Sequence, residues 1–215
     1  SELTVIGFDG DSTRIQAIRQ RFLDTNLYGI RFTFYPVASL DEIPVPDCFA
    51  NLVVSERMLE ETKPIGRGEE IARVLRPGGG TACLTIPSNT DSADPQTLPK
   101  NVPWETKEAG KNSWAIYRKP GLSHTGSWTH QYGSPSNSSN SGETLSGVTS
   151  TDQLDVQWIG RPGADFGIDR NPRMPAPLAA NGRLFHQGLN RLAAIDAYNG
   201  AILWSLEIPH LRRVN

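Results

Sequence analysis

The stretch Val-Leu-Arg-Pro-Gly-Gly-Gly-Thr-Ala-Cys-Leu-Thr-Ile-Pro, from Val74 to Pro87, carries most of the information about the fold. It contains a helix end, a glycine turn and a buried strand in direct succession. Pro77 cannot continue a helix, and the glycines at 78–80 can adopt the positive φ angles of an abrupt reversal. The apolar run at 81–86 is then typical of a buried strand. The stretch therefore predicts a helix that turns sharply into the interior of a sheet.

Short apolar runs alternate with helical patterns on the N-terminal side of this stretch. Ile15, Ile18 and Phe22 recur at helical spacing after Asp11 or Ser12, either of which can cap a helix. Such alternation predicts a parallel α/β sheet. We expect strands at 3–8, 31–36, 50–55 and 81–86, and helices near 12–24 and 66–76.

Three segments in this order resemble class I S-adenosylmethionine-dependent methyltransferases. Residues 69–79 are similar to the family's "eeiaRvLrPGG" segment, residues 43–55 to its "lPfpd.sfDlVvs" loop and fourth strand, and Gly7-Phe8-Asp9 to its "V-x-G-x-D" second strand. The resemblance implies a Rossmann-like methyltransferase sheet with S-adenosylmethionine as the cofactor.

The resemblance also implies where the cofactor would bind. Asp9 matches the acid that holds the ribose hydroxyls, and a carboxylate can accept two hydrogen bonds from a vicinal diol. Ser39 aligns with an acid near the adenine, with Asp41 the nearest carboxylate. Ser55 and Glu56 lie where substrate-facing residues often occur, although a plain strand-end turn explains them equally well. The catalytic residue is unknown, because the family shares no universal base.

The sequence departs from the family pattern at two residues and at one loop. Ser39 and Asn51 replace acids that are common there, and the glycine-rich first loop should precede the second strand, yet Ser1 lies only two residues before it. We therefore expect a truncated methyltransferase-like domain that lacks the first strand and its glycine loop. Such a chain is expected to be inactive alone.

The composition changes after residue 120. The segments 102–106 and 113–118 predict the antiparallel hairpin with which the family commonly ends. From Gly121 to Ser150, 21 of 30 residues are Gly, Ser, Thr, Asn or Pro, which is too polar to bury a core. We interpret 121–150 as a linker in which Trp128 and Tyr132 form an aromatic anchor.

The last third carries a second resemblance. Ala194 to Trp204 is similar to the "A-x-D-x-x-T-G-x-x-x-W" signature of quinoprotein-like β-propellers with PQQ repeats, with Asp196, Gly200 and Trp204 matched and Asn199 in place of Thr. The resemblance implies that Asp196 and Gly200 shape a tight hairpin and that Trp204 docks between blades. Strands are expected at 178–179, 183–187, 191–196 and 201–208, with Asn181-Gly182 as a hairpin turn.

Composition excludes several functions. With 21 basic and 23 acidic residues, the chain has no excess of positive charge of the kind that favours binding to nucleic acid or to a membrane surface. Cys48 and Cys83 are expected to be buried free thiols, and the four histidines are scattered, so no metal site is expected. Pyrroloquinoline quinone is not expected, since the family's dehydrogenases use a vicinal disulfide and residues 151–215 contain no cysteine.

The sequence thus predicts an α/β methyltransferase-like domain at 1–120, a linker at 121–150 and a partial all-β propeller at 151–215. The function expected from the resemblances is S-adenosylmethionine-dependent methyl transfer by a parent protein, with the propeller as a recognition platform for protein partners. The methyl acceptor is unknown, and the cytoplasm is favoured as the compartment. The alternative is a non-catalytic scaffold for protein interactions; a nicotinamide dehydrogenase is disfavoured by the missing glycine loop.

Overall fold

The computed structural model describes residues 3–55, 66–86, 102–110, 112–123, 125–145, 147–161 and 176–211. These residues form two compact units. The first unit contains residues 1–46, 52–75 and 81–117, and the second contains 47–51, 76–80 and 118–215. The division into a domain at 1–120, a linker at 121–150 and a propeller part at 151–215 remains a prediction.

The first unit contains two parallel strand pairs. β1 (Val5–Asp9) pairs in parallel with β2 (Phe32–Pro36), and β3 (Leu52–Ser55) pairs in parallel with β4 (Thr81–Ile86). The four strands lie where the sequence predicts them, but the expected single parallel sheet is wrong: among the described residues no strand joins the two pairs, which belong to separate sheets. One sheet is formed by β1 and β2 alone.

The two helices of the first unit also match the prediction. α1 (Ser12–Leu23) begins after Asp11, whose side chain accepts from the backbone N–H groups of Thr13 and Arg14, so Asp11 is the N-cap. α2 (Gly68–Val74) ends where Leu75 becomes extended. In the turn that follows, Gly78 and Gly79 have positive φ angles, and a Cβ on Gly80 would collide with the backbone of Arg76. Only glycine fits that close approach.

An antiparallel hairpin completes the second sheet of this unit. β5 (Glu105–Ala109) pairs with β6 (Asn112–Arg118), and the sheet order is β3-β4-β6-β5. The sheet is therefore mixed. Its core contains residues of α2, β4 and β6, together with the residue that follows α2: Ile71, Leu75, Ala82, Leu84, Ile86, Ala115 and Tyr117.

The second unit contains a four-stranded antiparallel meander. Its strands are β7 (Leu178–Ala180), β8 (Arg183–Gly188), β9 (Arg191–Asp196) and β10 (Ile202–Glu207), hydrogen bonded in the order β10-β9-β8-β7. Asn181 and Gly182 both have positive φ angles, as a two-residue hairpin turn requires. The predicted strands and turn are confirmed. The ring of blades that would make a propeller stays a prediction.

The expected burial of Trp204 is wrong. Its side chain is 43% exposed and contacts the ring of Phe185 at a centroid distance of 6.2 Å. Trp204 lies on β10, which is the last strand of its sheet, and every residue of that strand is exposed. A strand with a neighbour on one side only has fewer side chains to cover it.

Residues 121–150 make ordered contacts. The backbone of Trp128 forms an antiparallel bridge with Ala179, with hydrogen bonds of 2.7 and 2.8 Å. Trp128 is therefore attached to β7 through its backbone. A short 3₁₀ helix at Thr151–Gln153 follows this segment.

Candidate functional site

The candidate cofactor residue Asp9 lies at the carboxyl end of β1. Because β1 and β2 are parallel, Asp9 pairs with Pro36 at the same edge of the sheet. The backbone N–H of Val37 donates to the carbonyl of Asp9 at 3.0 Å. The loop that carries Ser39 and Asp41 therefore leaves β2 directly beside Asp9. Parallel α/β sheets bind ligands at this edge.

The carboxylate of Asp9 is held by two neighbours. Oδ1 accepts from the backbone N–H of Asp11 at 2.8 Å, and Oδ2 lies 3.1 Å from Nη1 of Arg14. The side chain of Asp9 is 17% exposed, and that of Arg14 is 54% exposed. Arg14 can reach Asp9 because Asp11 caps α1 and places Arg14 in its first turn. A ribose diol would share the carboxylate with these two donors.

Ser39 and Asp41 form a local turn. Oγ of Ser39 accepts from the backbone N–H of Asp41 at 3.0 Å. Oδ2 of Asp41 lies 4.0 Å from Nε of Arg67, at the outer limit of an ion pair between exposed groups. Ser39 is exposed, and Asp41 is half-buried. The two side chains are thus available at the loop surface and are oriented by a weak local network.

The predicted substrate-facing residues lie at the end of a different sheet. The carbonyl of Ser55, the last residue of β3, accepts from Oγ1 of the fully buried Thr85 at 3.3 Å. Glu56 lies outside the described residues. Since β1 and β3 belong to separate sheets, no strand pairing brings Ser55 to Asp9.

Glu70 and Arg73, both on α2, form an ion pair. Arg73 binds both carboxylate oxygens of Glu70, at 2.7 and 2.8 Å, and donates to the carbonyls of Ile43 and Val45, each at 2.9 Å. Glu70 accepts from the backbone N–H of Ile43 at 2.6 Å. The pair therefore clamps loop 43–45 onto α2. The i,i+3 spacing of opposite charges was the available signal.

The electrostatics of the clamp follow from this geometry. The hydrogen bond from Arg73, with smaller contributions from Ile43 and the charge of Arg73, lowers the pKa of Glu70 against the opposing effect of burial. Glu42, Ile43, Pro44, Glu70 and Arg73 line a shallow depression of about 380 Å³. Because Arg73 is occupied by four acceptor contacts, its role is to hold the loop.

The blade-like meander of the second unit is organised around Asp196. This carboxylate is fully buried; Oδ1 accepts from the backbone N–H of Tyr198 at 2.9 Å, and Oδ2 lies 3.1 Å from Nη1 of Arg76. Arg76 is the arginine of the Arg-Pro-Gly-Gly segment. Asn199 donates to the carbonyl of Phe49 at 2.8 Å. Residues 47–51 and 76–80 are therefore structural parts of the second unit.

Trp158 covers the glycine turn of this unit. Its indole N–H donates to the carbonyl of Ala197 at 3.0 Å, and a Cβ on Gly200 would lie 2.5 Å from the indole ring. Burial, with the nearby Cys48 and Asp196, raises the pKa of Tyr198, the next residue along the turn.

The remaining chemistry-bearing groups form no metal site. Among the described residues, no three His, Cys, Asp or Glu side chains converge as metal ligands. Cys48 and Cys83 are free thiols, as predicted, but both are half-buried and not buried. No helix in the described part of the chain has the length and apolarity needed to cross a membrane.

No family model matches the chain, and no curated protein is similar to it. Several solved structures align with part of the chain at low identity. A proposed S-adenosyl-L-methionine-dependent methyltransferase of Methanococcus maripaludis is 17% identical with a TM-score of 0.41, over 55% of this chain and 68% of that one.

The cyclase SpnF is 15% identical with a TM-score of 0.40, over 56% of this chain and 67% of its own. An S-adenosylmethionine-dependent methyltransferase of Aquifex aeolicus is 13% identical with a TM-score of 0.40, over 54% and 68% of the two chains. Similarity of this size describes a partial likeness of fold and does not fix an activity.

Proposed function

We propose that the protein transfers a methyl group from S-adenosylmethionine, with Asp9 as the residue that binds the cofactor's ribose. The observation that carries this proposal is the position of Asp9. It ends β1 at the carboxyl edge of a parallel pair and is hydrogen bonded through its carbonyl to Val37, where the next loop begins. Ligands of open α/β sheets bind outside this edge.

The loop after β2 supplies two further candidate residues for binding the cofactor. Ser39 and Asp41 would meet the adenine, since their loop leaves β2 beside Asp9. In methyl transfer, the acceptor atom attacks the methyl carbon as the bond from that carbon to the sulfonium sulfur breaks, which leaves S-adenosylhomocysteine. Holding the acceptor in line is the main catalytic contribution. Ser55 and Glu56 remain candidates for contacting the acceptor, whose identity is open.

The second unit would act as a recognition platform. Its four-stranded meander has the size of one propeller blade, and Trp158 covers the glycine turn at Gly200. The exposed strand β10 offers Trp204 to a neighbouring blade or to a protein partner. Pyrroloquinoline quinone plays no part in this proposal.

A non-catalytic scaffold is the second candidate, and one observation favours it. Both carboxylate oxygens of Asp9 already have partners within the chain, Asp11 and Arg14. In a scaffold, Asp9 would serve only to fix the start of α1. The two candidates differ in whether S-adenosylmethionine binds at all.

Equilibrium dialysis with labelled S-adenosylmethionine separates the two. We define the parent protein as the longest natural chain that contains these 215 residues. We expect micromolar binding by the parent protein. Absence of binding to the parent would contradict methyl transfer and leave the scaffold.

A further inference from the structure

The chain contains two Asn-Gly dipeptides, Asn181-Gly182 and Asn199-Gly200, both in turns of the meander. We propose that Asn181 is a site of spontaneous deamidation and that the fold protects Asn199 from the same reaction. Glycine follows both asparagines, so the local sequence gives them similar intrinsic reactivity. The difference comes from the hydrogen bonds that surround each dipeptide.

The reaction needs only water as a co-reactant. The backbone nitrogen of the glycine attacks Cγ of the preceding asparagine, forms a C–N bond and expels the amide nitrogen as ammonia. Water then opens the cyclic imide at either carbonyl and yields aspartate or isoaspartate. Each event replaces a neutral amide with one negative charge. Because the first step joins the glycine nitrogen to Cγ of asparagine, the backbone nitrogen and the asparagine side chain must both be able to move into contact.

Neither group can move readily at Asn199. Its Nδ2 donates to the carbonyl of Phe49 at 2.8 Å and to Oδ1 of Asn51 at 3.0 Å. Its Oδ1 accepts from the backbone N–H of Ala201 at 3.0 Å. The nucleophile is held as well, because the N–H of Gly200 donates to the carbonyl of Asp196 at 2.9 Å. Four hydrogen bonds oppose the reaction at this turn.

The turn at Asn181 has a different environment. Asn181 is exposed, and among the described residues no hydrogen bond holds its side-chain amide or the backbone nitrogen of Gly182. The backbone of Gly182 is held only through its carbonyl, which accepts from the N–H of Ala197 at 2.9 Å. Gly182 is half-buried against the ring of Tyr198, but no hydrogen bond from the described residues holds either reacting group.

Deamidation at Asn181 would alter the hairpin. Aspartate tolerates positive φ much as asparagine does, so the aspartate product can keep the turn. Isoaspartate inserts an extra methylene into the backbone between Ala180 and Arg183, which pair across the turn. The isoaspartate form should therefore loosen the β7–β8 pairing, and both products make the exposed turn more acidic.

The test is peptide mapping of the whole chain after prolonged incubation at mildly alkaline pH, with chromatography that separates aspartate from isoaspartate. We expect conversion at Asn181 to be at least about ten times faster than at Asn199, since the bonds that must open at Asn199 raise its barrier. The urea-unfolded chain is the control, and there the two rates should be similar. An Asn181→Ala variant should lose the main acidic species.

Two results would overturn the proposal. Conversion at Asn199 as fast as at Asn181 in the folded chain would show that the hydrogen bonds give no protection. A rate ratio in urea equal to that in the folded chain would assign the difference to local sequence and not to the fold.

Discussion

The buried carboxylate of Asp196 depends on Arg76 for its counter-charge. Asp196 is fully buried, and Arg76, which is 20% exposed, donates to it at 3.1 Å. Removing one partner of a buried ion pair leaves an uncompensated charge and typically costs about 3–5 kcal/mol. Arg76→Ala should therefore lower the free energy of unfolding by roughly this amount, as measured by urea denaturation.

The double variant Arg76→Ala/Asp196→Asn is the control for that measurement. It removes the orphaned charge together with its partner, so it should recover part of the lost stability, and hydrogen exchange at 183–196 should report the recovery. A loss in Arg76→Ala no larger than that of an exposed ion pair, below about 1 kcal/mol, would contradict the buried pairing.

Gly200 is required both by its backbone angle and by its contact with Trp158. Its φ is +71°, and a Cβ would lie 2.5 Å from the indole. Gly142 is the matched control, because its φ is +76° and a Cβ there would meet no atom within 4 Å. Gly142→Ala should cost about 1–2 kcal/mol for the backbone angle alone.

Gly200→Ala should cost a further 1–3 kcal/mol or so, because the indole must shift to make room. Thermal unfolding of the two variants gives the difference, and tryptophan fluorescence should change in Gly200→Ala only. Equal destabilisation of both variants would mean that Trp158 does not cover this turn in solution.

At the scale of elements, the clamp between Glu70 and Arg73 fixes loop 43–45 to α2. The pKa of Glu70 lies below its ordinary value of 4.5, chiefly because Arg73 donates to its carboxylate. A carboxylate with a lowered pKa stabilises the folded state above the unfolded pKa, and this stabilisation is lost as the pH falls through the folded pKa.

Glu70→Gln should therefore be less stable than the wild type at neutral pH, and the gap should close as the solution becomes more acidic than pH 4.5. Urea unfolding at a series of pH values measures this gap. Glu105→Gln, on the exposed strand β5, is the control for replacing a glutamate that lies outside the clamp. A gap that stays constant with pH would show that Glu70 is not ionised in the clamp.

A buried face gives an element an apolar pattern from which its bounds can be predicted. β4 and α2 show clear apolar patterns because each contributes to the core, and their predicted bounds lie within two residues of the observed ones. β5 was predicted at 102–106 but occupies Glu105–Ala109. All five of its residues are exposed, so no alternation of apolar and polar positions marks where it begins.

At the scale of the whole molecule, contacts between distant parts of the chain escaped prediction. The end of β1 at Asp9 could be predicted because a local motif marks it, and a cofactor role for Asp9 stays a prediction. The contact of Asn51 with Asp196 joins residues 145 positions apart, and nothing in either local sequence indicates the other. Trp128 was expected in a linker, yet its backbone pairs with Ala179, because a sheet edge can recruit any extended segment.

The proposal that Asp9 binds the ribose is tested most directly by isothermal titration calorimetry of S-adenosylmethionine with the parent protein and its Asp9→Ala variant. Losing hydrogen bonds to a charged group should weaken binding about ten- to a hundred-fold. Asp155→Asn is the control and should bind like the wild type, since among the described residues this exposed carboxylate accepts a hydrogen bond only from the adjacent backbone N–H of Val156. An unchanged dissociation constant in Asp9→Ala, with the fold intact by circular dichroism, would contradict the assignment of Asp9.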